Sequence, residues 1–413
     1  MKHALTAIGI ALVSLLSMGQ GTVQFSKQAV LSDLETLRNQ LLATHFQIFT
    51  YTTPEQFDSA YHHARESVQG DSLTLLTTTS LFQGLVSVVN NGHTEIDFPA
   101  GPYREYAMKG GTVFPLELAF EEDRALVRKN WSGNEAVSLS AELVSINEQP
   151  IASILDQIYP LVSAERNYFK LAKIEVISFP RLYWQAFGEQ AEFTIQLKTA
   201  LHTKTISLPA IPLIADFEMK RNEVLNAHME LKFLDEVALL NPGNFAGNEE
   251  DYQAFIDSAF RTINQASAKT LIIDLRNNAG GDNSFSDYLV SYFAAKPFHW
   301  ASQFELRTSQ LLKEHTRTNY DTTEAYFRAI LDHENGRQYS FSFEAYQPVQ
   351  ANKRYTGKVY VLVNRQTHSQ AAVTAAQIQD YGFGLIVGEE TAEYPNLLAS
   401  QFHFQLPNTG INV

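Results

Sequence analysis

The sequence predicts an α/β fold for its C-terminal half, where helices follow buried strands in a repeating order. Leu271–Leu275 is a short apolar run that leads through glycines into a helix predicted from Ser284. Val359–Val363 is a second run of this kind, and an Ala-rich helix is predicted after it over Gln370–Tyr381. Continuous apolar runs of this length are typical of parallel strands that are buried on both faces. The repeat therefore indicates an α/β core.

Ser369 lies where the second strand turns into its helix, and this is a place where a serine can act. The first turn of a helix has backbone N–H groups without intrahelical partners and a partial positive charge, so an oxyanion beside Ser369 is stabilised there. Gly280 and Gly281 follow the first strand, and glycine lets backbone N–H groups approach a ligand closely. The N–H of one of them and the N–H of Gln370 are the candidate donors of an oxyanion hole.

Three blocks of sequence, in this order, resemble the catalytic domain of the tail-specific (C-terminal-processing) serine peptidases. The blocks are residues 270–282, 364–376 and 384–391. The resemblance implies a crotonase-like core over residues 215–413, with Ser369 as the nucleophile and Gly281 or Gly280 and the N–H of Gln370 as the oxyanion hole. Asp274 and Arg276, at the end of the first strand, are expected to hold that strand end by an ion pair or by backbone hydrogen bonds.

The catalytic base is predicted to be a histidine rather than a lysine. Family members with a Ser-Lys dyad carry the lysine just after the third block, where this chain has Tyr394. Asn90–Thr94 instead resembles the segment of the tricorn-core-like branch that supplies a histidine. This implies that His93 takes the proton of Ser369 and returns it to the leaving amine, an exchange that suits imidazole near neutral pH. His368 competes by adjacency, but neighbouring residues rarely place a side-chain nitrogen on the hydroxyl, so we expect His93.

A serine at a helix start is, in isolation, more often an N-cap than a nucleophile. The glycine pair, the third block, the export signal described below and His93 favour catalysis here. Two positions nevertheless differ from the family pattern, because Gly92 stands where the family has a serine and Ala372 where it commonly has a glutamate. These departures leave a second function open, a peptide-binding pseudoprotease on the same scaffold.

The acidic residue that orients the histidine is not assigned by the sequence. In the tricorn-core-like branch it lies several tens of residues after the nucleophile, and this chain ends at Val413 before that position. We therefore expect the sequence to be a fragment. Glu389 and Glu390 remain candidates for orienting His93, although paired acids in a loop are more often solvated.

Composition limits the classes of function. With 413 residues and 45% apolar content, the chain should form two or three globular domains. Its formal net charge is −14 and it has no Lys/Arg-rich run, so we expect neither nucleic acid nor an anionic membrane surface as a partner. The chain has no cysteine, which excludes disulfides and thiolate chemistry, and it lacks metalloprotease and nucleotide-binding motifs. We expect no metal or cofactor, and a peptide or unfolded protein as the substrate.

Residues 1–19 are predicted to be a secretory signal peptide. A basic start precedes an apolar stretch from Ala4, and Ser17–Gly19 is a small-x-small cleavage site. The stretch is too short for a membrane span and no cysteine is present for lipid attachment, so we expect cleavage and a soluble periplasmic or extracellular bacterial protein. An uncleaved anchor is the alternative. Export also argues against acyl-CoA chemistry, which shares the crotonase-like geometry.

Two further modules are predicted before the catalytic domain. Residues 20–100 show the leucine spacing of helices, and residues 105–210 show short strands. Within the second module, Ser140–Ile151 resembles a stretch of PDZ domains. Such a module would capture peptide strands by edge addition, while a β-rich spacer without a working groove is the alternative. The polar insertion over residues 296–353 is predicted to be either a lid or solvated decoration.

Overall fold

The computed structural model describes residues 23–122, 124–200, 202–221, 227–399 and 402–413. These residues divide into two compact units. The central unit comprises residues 227–305 and 340–397, and the N-terminal unit comprises residues 23–221, 306–339 and those from 398 onward. The predicted signal peptide, residues 1–19, lies outside the described residues. The predicted division at 20–100, 105–210 and 215–413 stays a prediction.

The N-terminal unit begins with a helical region, as the leucine spacing predicts. Its elements are β1 (Gln24–Ser26), α1 (Lys27–Thr44), α2 (Pro54–Glu66), β2 (Ser72–Thr74), α3 (Leu75–Ser87) and α4 (Ala100–Met108). Thr53 is the N-cap of helix α2 and forms a capping box with Gln56, and Pro54 lies in the first turn. Leu34 on α1 and Phe82 on α3 are fully buried in one core. Burial of these periodic apolar faces holds the helices together.

A β-rich region follows. Its elements are β3 (Thr112–Val113), β4 (Leu116–Glu121), β5 (Arg124–Asn130), β6 (Glu142–Ile146), β7 (Gln149–Pro150), α5 (Ile151–Ile158), a 3₁₀ turn (Tyr159–Leu161), α6 (Asn167–Ile177), α7 (Phe179–Phe187), β8 (Glu192–Lys198), β9 (Thr203–Pro209), β10 (Ile211–Pro212), a π-helix (Leu213–Glu218) and α8 (Met219–Arg221). Strands β4-β5-β6-β8-β9 form an antiparallel sheet in this order. The PDZ-like assignment of this region stays a prediction.

The central unit is the α/β core that the apolar runs predict. Its first elements are β11 (Met229–Leu234), β12 (Val237–Pro242), α9 (Glu249–Gln265), β13 (Thr270–Asp274) and α10 (Asn283–Ser291). After an insertion it continues with β16 (Lys358–Val363), α13 (Gln370–Tyr381) and β17 (Leu385–Gly388). The sheet order is β11-β12-β13-β16-β17, in which β11 is antiparallel and the others are parallel. Leu271, Ile273 and Val361 are fully buried, which confirms that β13 and β16 are core strands.

The insertion contains regular secondary structure. It contains β14 (Glu305–Arg307), α11 (Gln310–Asn319), α12 (Ala325–Asp332) and β15 (Gln338–Ser340), and residues 306–339 belong to the N-terminal unit. Arg307 donates to the backbone carbonyls of Leu42 (3.0 Å) and His45 (3.2 Å), and Gln338 donates to that of Phe46 (2.9 Å). These contacts connect the insertion to the end of α1, and most residues over 306–339 are exposed or half-buried. Whether the insertion is a lid or solvated decoration stays a prediction.

No helix among the described residues is long and apolar enough to span a membrane.

Candidate active site

Ser369 occupies a strained turn between β16 and α13. Its backbone has φ +50° and ψ −127°, a combination that side-chain-bearing residues rarely adopt. The turn is held by its neighbours, since the N–H of His368 donates to the carbonyl of Asn278 (3.0 Å) and the N–H of Val373 to that of Ser369 (3.1 Å). The side chain of Ser369 makes no capping bond to α13. Ser369 therefore does not have the N-cap role that a serine at a helix start usually has, and this strained geometry is typical of a nucleophile.

Gly280 lies directly against Ser369. Its φ is +82°, and a Cβ at this position would lie 2.6 Å from the carbonyl oxygen of His368 and 2.7 Å from the Cβ of Ser369. Only glycine allows so close an approach. The N–H of Gly280 donates to the side-chain oxygen of Asn278 (2.8 Å). This N–H is therefore already used, although the residue itself touches the predicted nucleophile.

Gly281 presents the better-placed donor of the pair. The turn is bound to Phe245, whose N–H donates to the carbonyl of Gly280 (3.0 Å) and whose carbonyl accepts the N–H of Asp282 (2.8 Å). In this parallel bridge the N–H of Gly281 points away from Phe245. Within the described part of the chain it donates to no acceptor. A Cβ at Gly281 would lie 1.9 Å from the Phe245 carbonyl oxygen, so this position requires glycine.

Gln370 completes the group of backbone donors. It is the first residue of α13, and its N–H belongs to the first turn, where helices leave N–H groups without intrahelical partners. A Cβ at Gly280 would lie 2.7 Å from this nitrogen. The side chain of Gln370 is buried and donates to the hydroxyl of Ser286 on α10 (3.0 Å). The central unit thus brings Ser369, Gly280 and the N–H of Gln370 together.

His93 belongs to the N-terminal unit, where it lies on the loop after α3. The side-chain oxygen of Asn91, a fully buried residue, accepts the N–H of His93 (3.1 Å) and the hydroxyl of Thr94 (2.8 Å). The hydroxyl of Thr94 also lies 3.0 Å from Nε2 of His45. Burial, with a smaller contribution from nearby Arg307, lowers the pKa of His45 to about 4. His45 is therefore neutral at physiological pH and holds Thr94 beside the predicted base.

Helix α6 clamps the same loop from the other side. Just before α6, the carboxylate of Glu165 accepts the N–H of Gly92 (2.9 Å), and on α6 the ammonium of Lys173 donates to the carbonyl of Gly92 (2.8 Å). Lys173 also pairs with Glu95 (2.5 Å). Both backbone groups of the residue before His93 are therefore bound by charged side chains, which are strong hydrogen-bonding partners.

The space beside Gly92 explains why this position is not the serine of the family pattern. A Cβ at Gly92 would lie 2.3 Å from the ring of Phe169 on α6. Phe169 is itself buried, with 2% exposure, so its ring has little room to move aside. The absence of the family serine at position 92 is therefore accompanied by close packing of Phe169 against this loop.

Comparison with known protein families gives a match over part of the chain. The model of peptidase family S41 matches residues 237–410. These residues form a peptidase family S41 domain. Among curated proteins, none matches the sequence at a significant level.

Solved structures provide a second comparison. Mature CPAF complexed with lactacystin has a TM-score of 0.63 and 14% sequence identity, over 94% of this chain and 88% of that chain. Mature CPAF has a TM-score of 0.62 and 14% identity, over 94% and 87% of the two chains. The photosystem II D1 C-terminal processing protease has a TM-score of 0.41 and 16% identity, over 89% and 82%. At these identities the likeness to CPAF shows the fold alone, and the peptidase assignment rests on the family match over residues 237–410.

The S41 domain contains an acidic residue that the sequence analysis missed. Glu393 is 1% exposed, and its Oε2 accepts the N–H of Ser369 (2.5 Å) and lies 2.9 Å from Nδ1 of His368. The sequence signal for Glu393 was weak, because the residue lies in a loop without a periodic pattern. The neighbouring Tyr394 drew attention only because it stands where the family has a lysine. The contact connects the loop after the third block to the turn at Ser369.

Two further acids of this domain, Asp274 and Glu389, have structural partners. The side chain of Arg276 donates to both carboxylate oxygens of Asp274 (2.9 and 2.8 Å), which confirms the expected ion pair at the end of β13. Glu389, a candidate for orienting His93, forms an ion pair with Arg365 (2.9 Å) and accepts its N–H (3.1 Å). This pairing gives Glu389 a role in holding the loop after β17.

Asp287, on α10 beside α13, has a buried carboxyl group. It is 3% exposed and accepts hydrogen bonds from Gln377 on α13 (3.1 Å) and Asn283 (3.3 Å). Burial outweighs these bonds and raises the pKa of Asp287 to about 6. The packing of α10 on α13 therefore contains a group that titrates in mildly acidic solution.

Proposed function

We propose that the protein is an exported serine endopeptidase that cleaves peptide bonds through Ser369, with His93 as the general base. The observation that carries the proposal is the turn at Ser369, whose strained backbone leaves its hydroxyl without a capping role while Gly280 packs against it. The family supports the reaction class, and the substrate is a peptide or an unfolded protein.

The chemistry follows from the residue types. The Oγ of Ser369 attacks the peptide carbonyl carbon while His93 accepts its proton. The negative charge that develops on the carbonyl oxygen is stabilised by the N–H groups of Gly281 and Gln370. The C–N bond then breaks as His93 protonates the leaving amine. Water, activated by His93, hydrolyses the acyl-serine ester and restores the hydroxyl.

The assignment of the two N–H donors is supported by hydrogen bonding within the central unit. The N–H of Gly280 is bound to Asn278 and that of Ser369 to Glu393. The loop after β13 and the turn from β16 into α13 each contain an N–H group without a hydrogen-bond acceptor among the described residues. These are the N–H groups of Gly281 and Gln370. The pairing of His93 with Ser369 rests on the sequence resemblance.

The test is labelling of the purified protein by a fluorophosphonate, together with hydrolysis of an unstructured peptide. We expect Ser369→Ala to abolish both. Ser309→Ala is the matched control, because Ser309 also starts a helix but its hydroxyl accepts the N–H of Leu312 (3.1 Å). That variant should lose only about 1 kcal/mol of stability and keep its labelling.

The base is tested separately. His93→Gln should reduce hydrolysis to the residual level of Ser369→Ala, while His368→Gln should retain most of the activity. Loss in His368→Gln alone would transfer the role of base to His368. Folded wild-type protein that binds peptide without hydrolysis or labelling would instead support the pseudoprotease.

Export is part of the proposal and has its own measurement. Protein recovered from the periplasm or medium of a bacterial host that expresses the full chain should begin at Gln20, after removal of residues 1–19. An intact N-terminus in the membrane fraction would support the uncleaved anchor.

A further inference from the structure

Strand β11 forms one edge of the sheet in the central unit and is apolar and exposed on this edge. Its only strand partner among the described residues is β12. Met229, Phe233 and Leu234 are 47%, 38% and 67% exposed, while Leu231 is partly buried. An edge strand of this kind presents unpaired N–H and C=O groups and apolar side chains, which favours pairing with another strand.

The sequence of β11 is complementary to itself in one antiparallel register. When Leu231 lies opposite Leu231 of a second copy, Glu230 lies opposite Lys232 on each side, and Met229 lies opposite Phe233. Opposed residues of antiparallel strands share a face and interact, and opposite charges and apolar pairs stabilise the pairing. The register therefore provides two charge pairs and three apolar pairs.

Neighbouring registers lack this complementarity. Centring the pair on Glu230 or on Lys232 places like charges directly opposite each other, which is destabilising. A parallel in-register pair would place Glu230 opposite Glu230 and Lys232 opposite Lys232, so like charges would again face each other. Within one chain, Glu230 and Lys232 are half-exposed and lie 2.7 Å apart, so both charges are free to re-pair across a strand interface.

We propose that β11 pairs with β11 of a second copy of this chain, antiparallel and centred on Leu231, to join two sheets across a two-fold axis. The two-fold axis makes the interface isologous, so that each contact occurs twice. The inference is independent of the peptidase chemistry, and Ser369→Ala should leave the association unchanged.

The experiment is sedimentation of the purified protein over a range of concentrations, with charge-swap variants. Lys232→Glu and Glu230→Lys should each weaken dimerisation by about tenfold or more, because both cross-strand pairs become repulsive. The double variant Glu230→Lys with Lys232→Glu should restore it. Since both side chains are exposed, thermal unfolding of the variants should resemble the wild type. A monomer at every concentration, or a dimer that ignores the single charge swaps, would overturn the proposal.

The register is tested by cysteine crosslinking, which the cysteine-free chain makes unambiguous. Leu231→Cys places two thiols opposite each other and should form a disulfide dimer under mild oxidation. Phe233→Cys is the matched control, because its partner in this register is Met229, and it should crosslink much more slowly. Equal rates in the two variants would contradict the register, and faster crosslinking of Phe233→Cys would replace it.

Discussion

The buried carboxylate of Glu393 accepts the backbone N–H of Ser369, and the same oxygen lies 2.9 Å from Nδ1 of His368. The carboxylate of Glu393 thus contacts both Ser369, which has the strained backbone, and His368, which precedes it. Because this bond uses the N–H of Ser369, the proposed oxyanion hole takes the next N–H along the chain, that of Gln370, together with the N–H of Gly281. Glu393 is therefore a positioning residue for the proposed nucleophile.

Glu393→Ala should lower kcat for peptide hydrolysis by about ten- to 100-fold, the loss expected for a hydrogen bond to a charged group. KM should change little, because the nucleophile is misplaced while the substrate-binding surface is intact. Glu393→Gln keeps an acceptor for the N–H of Ser369 and should recover part of the rate. The measurement is steady-state kinetics with the fluorophosphonate labelling rate. Glu389→Gln, in the same loop, is the control, and a Glu393→Ala enzyme with wild-type kcat would remove Glu393 from the site.

Gly280→Ala should abolish labelling of Ser369. A Cβ there would lie within 2.7 Å of both the nitrogen of Gln370 and the Cβ of Ser369, so the nucleophile turn must shift. Gly336→Ala is a closely matched control, because Gly336 has the same φ of +82° but open space around its Cα. It should cost about 1 kcal/mol from backbone strain alone and leave labelling intact. If both variants lose stability equally and both still label, close packing at Gly280 has no bearing on the site.

Local sequence patterns predicted the strands that carry the site, but not the contacts between distant loops. The apolar runs of β13 and β16 place Gly280 and Ser369 at neighbouring strand ends, because parallel strands in one sheet align their carboxyl ends. Glu393 was missed because its contact depends on how a loop folds back onto Ser369. A local sequence pattern does not predict such a contact. The packing of residues 306–339 on α1 is likewise set by tertiary contacts.

The stability of the protein should depend on Asp287 in mildly acidic solution. Burial raises its pKa in the folded state to about 6 from the ordinary 3.8, so the folded state binds the proton more tightly than the unfolded state. The resulting stabilisation is complete below about pH 4 and is lost as pH rises through 6. The gap between the pKa values of the folded and unfolded states limits the effect to about 3 kcal/mol.

Asp287→Asn removes this titration. The difference in unfolding free energy between the variant and the wild type should therefore change in favour of the variant as pH rises from about 4 to about 7.5. Urea unfolding at several pH values measures it. Asp380→Asn, at an exposed position on α13, serves as the control for general charge removal. A difference between variant and wild type that is constant with pH would show that Asp287 does not titrate in this range.

Restoring the family serine at position 92 should require a second change. Gly92→Ser places its Cβ 2.3 Å from the ring of Phe169, and we expect it to destabilise the protein by about 1–3 kcal/mol, the usual range for overpacking. Phe169→Leu shortens the side chain that blocks the space and should itself be destabilising through the cavity that it leaves. Combined, the two changes should cost less stability than the sum of the single variants, because the new side chain occupies space that the ring vacates.

A double-mutant cycle by urea unfolding measures the coupling between positions 92 and 169. Gly84→Ser on α3, where a Cβ meets nothing within 4 Å, is the control. Strict additivity would mean that Phe169 does not exclude the serine. Peptide hydrolysis by the double variant would then report whether the loop that bears His93 accepts the family residue without losing its position.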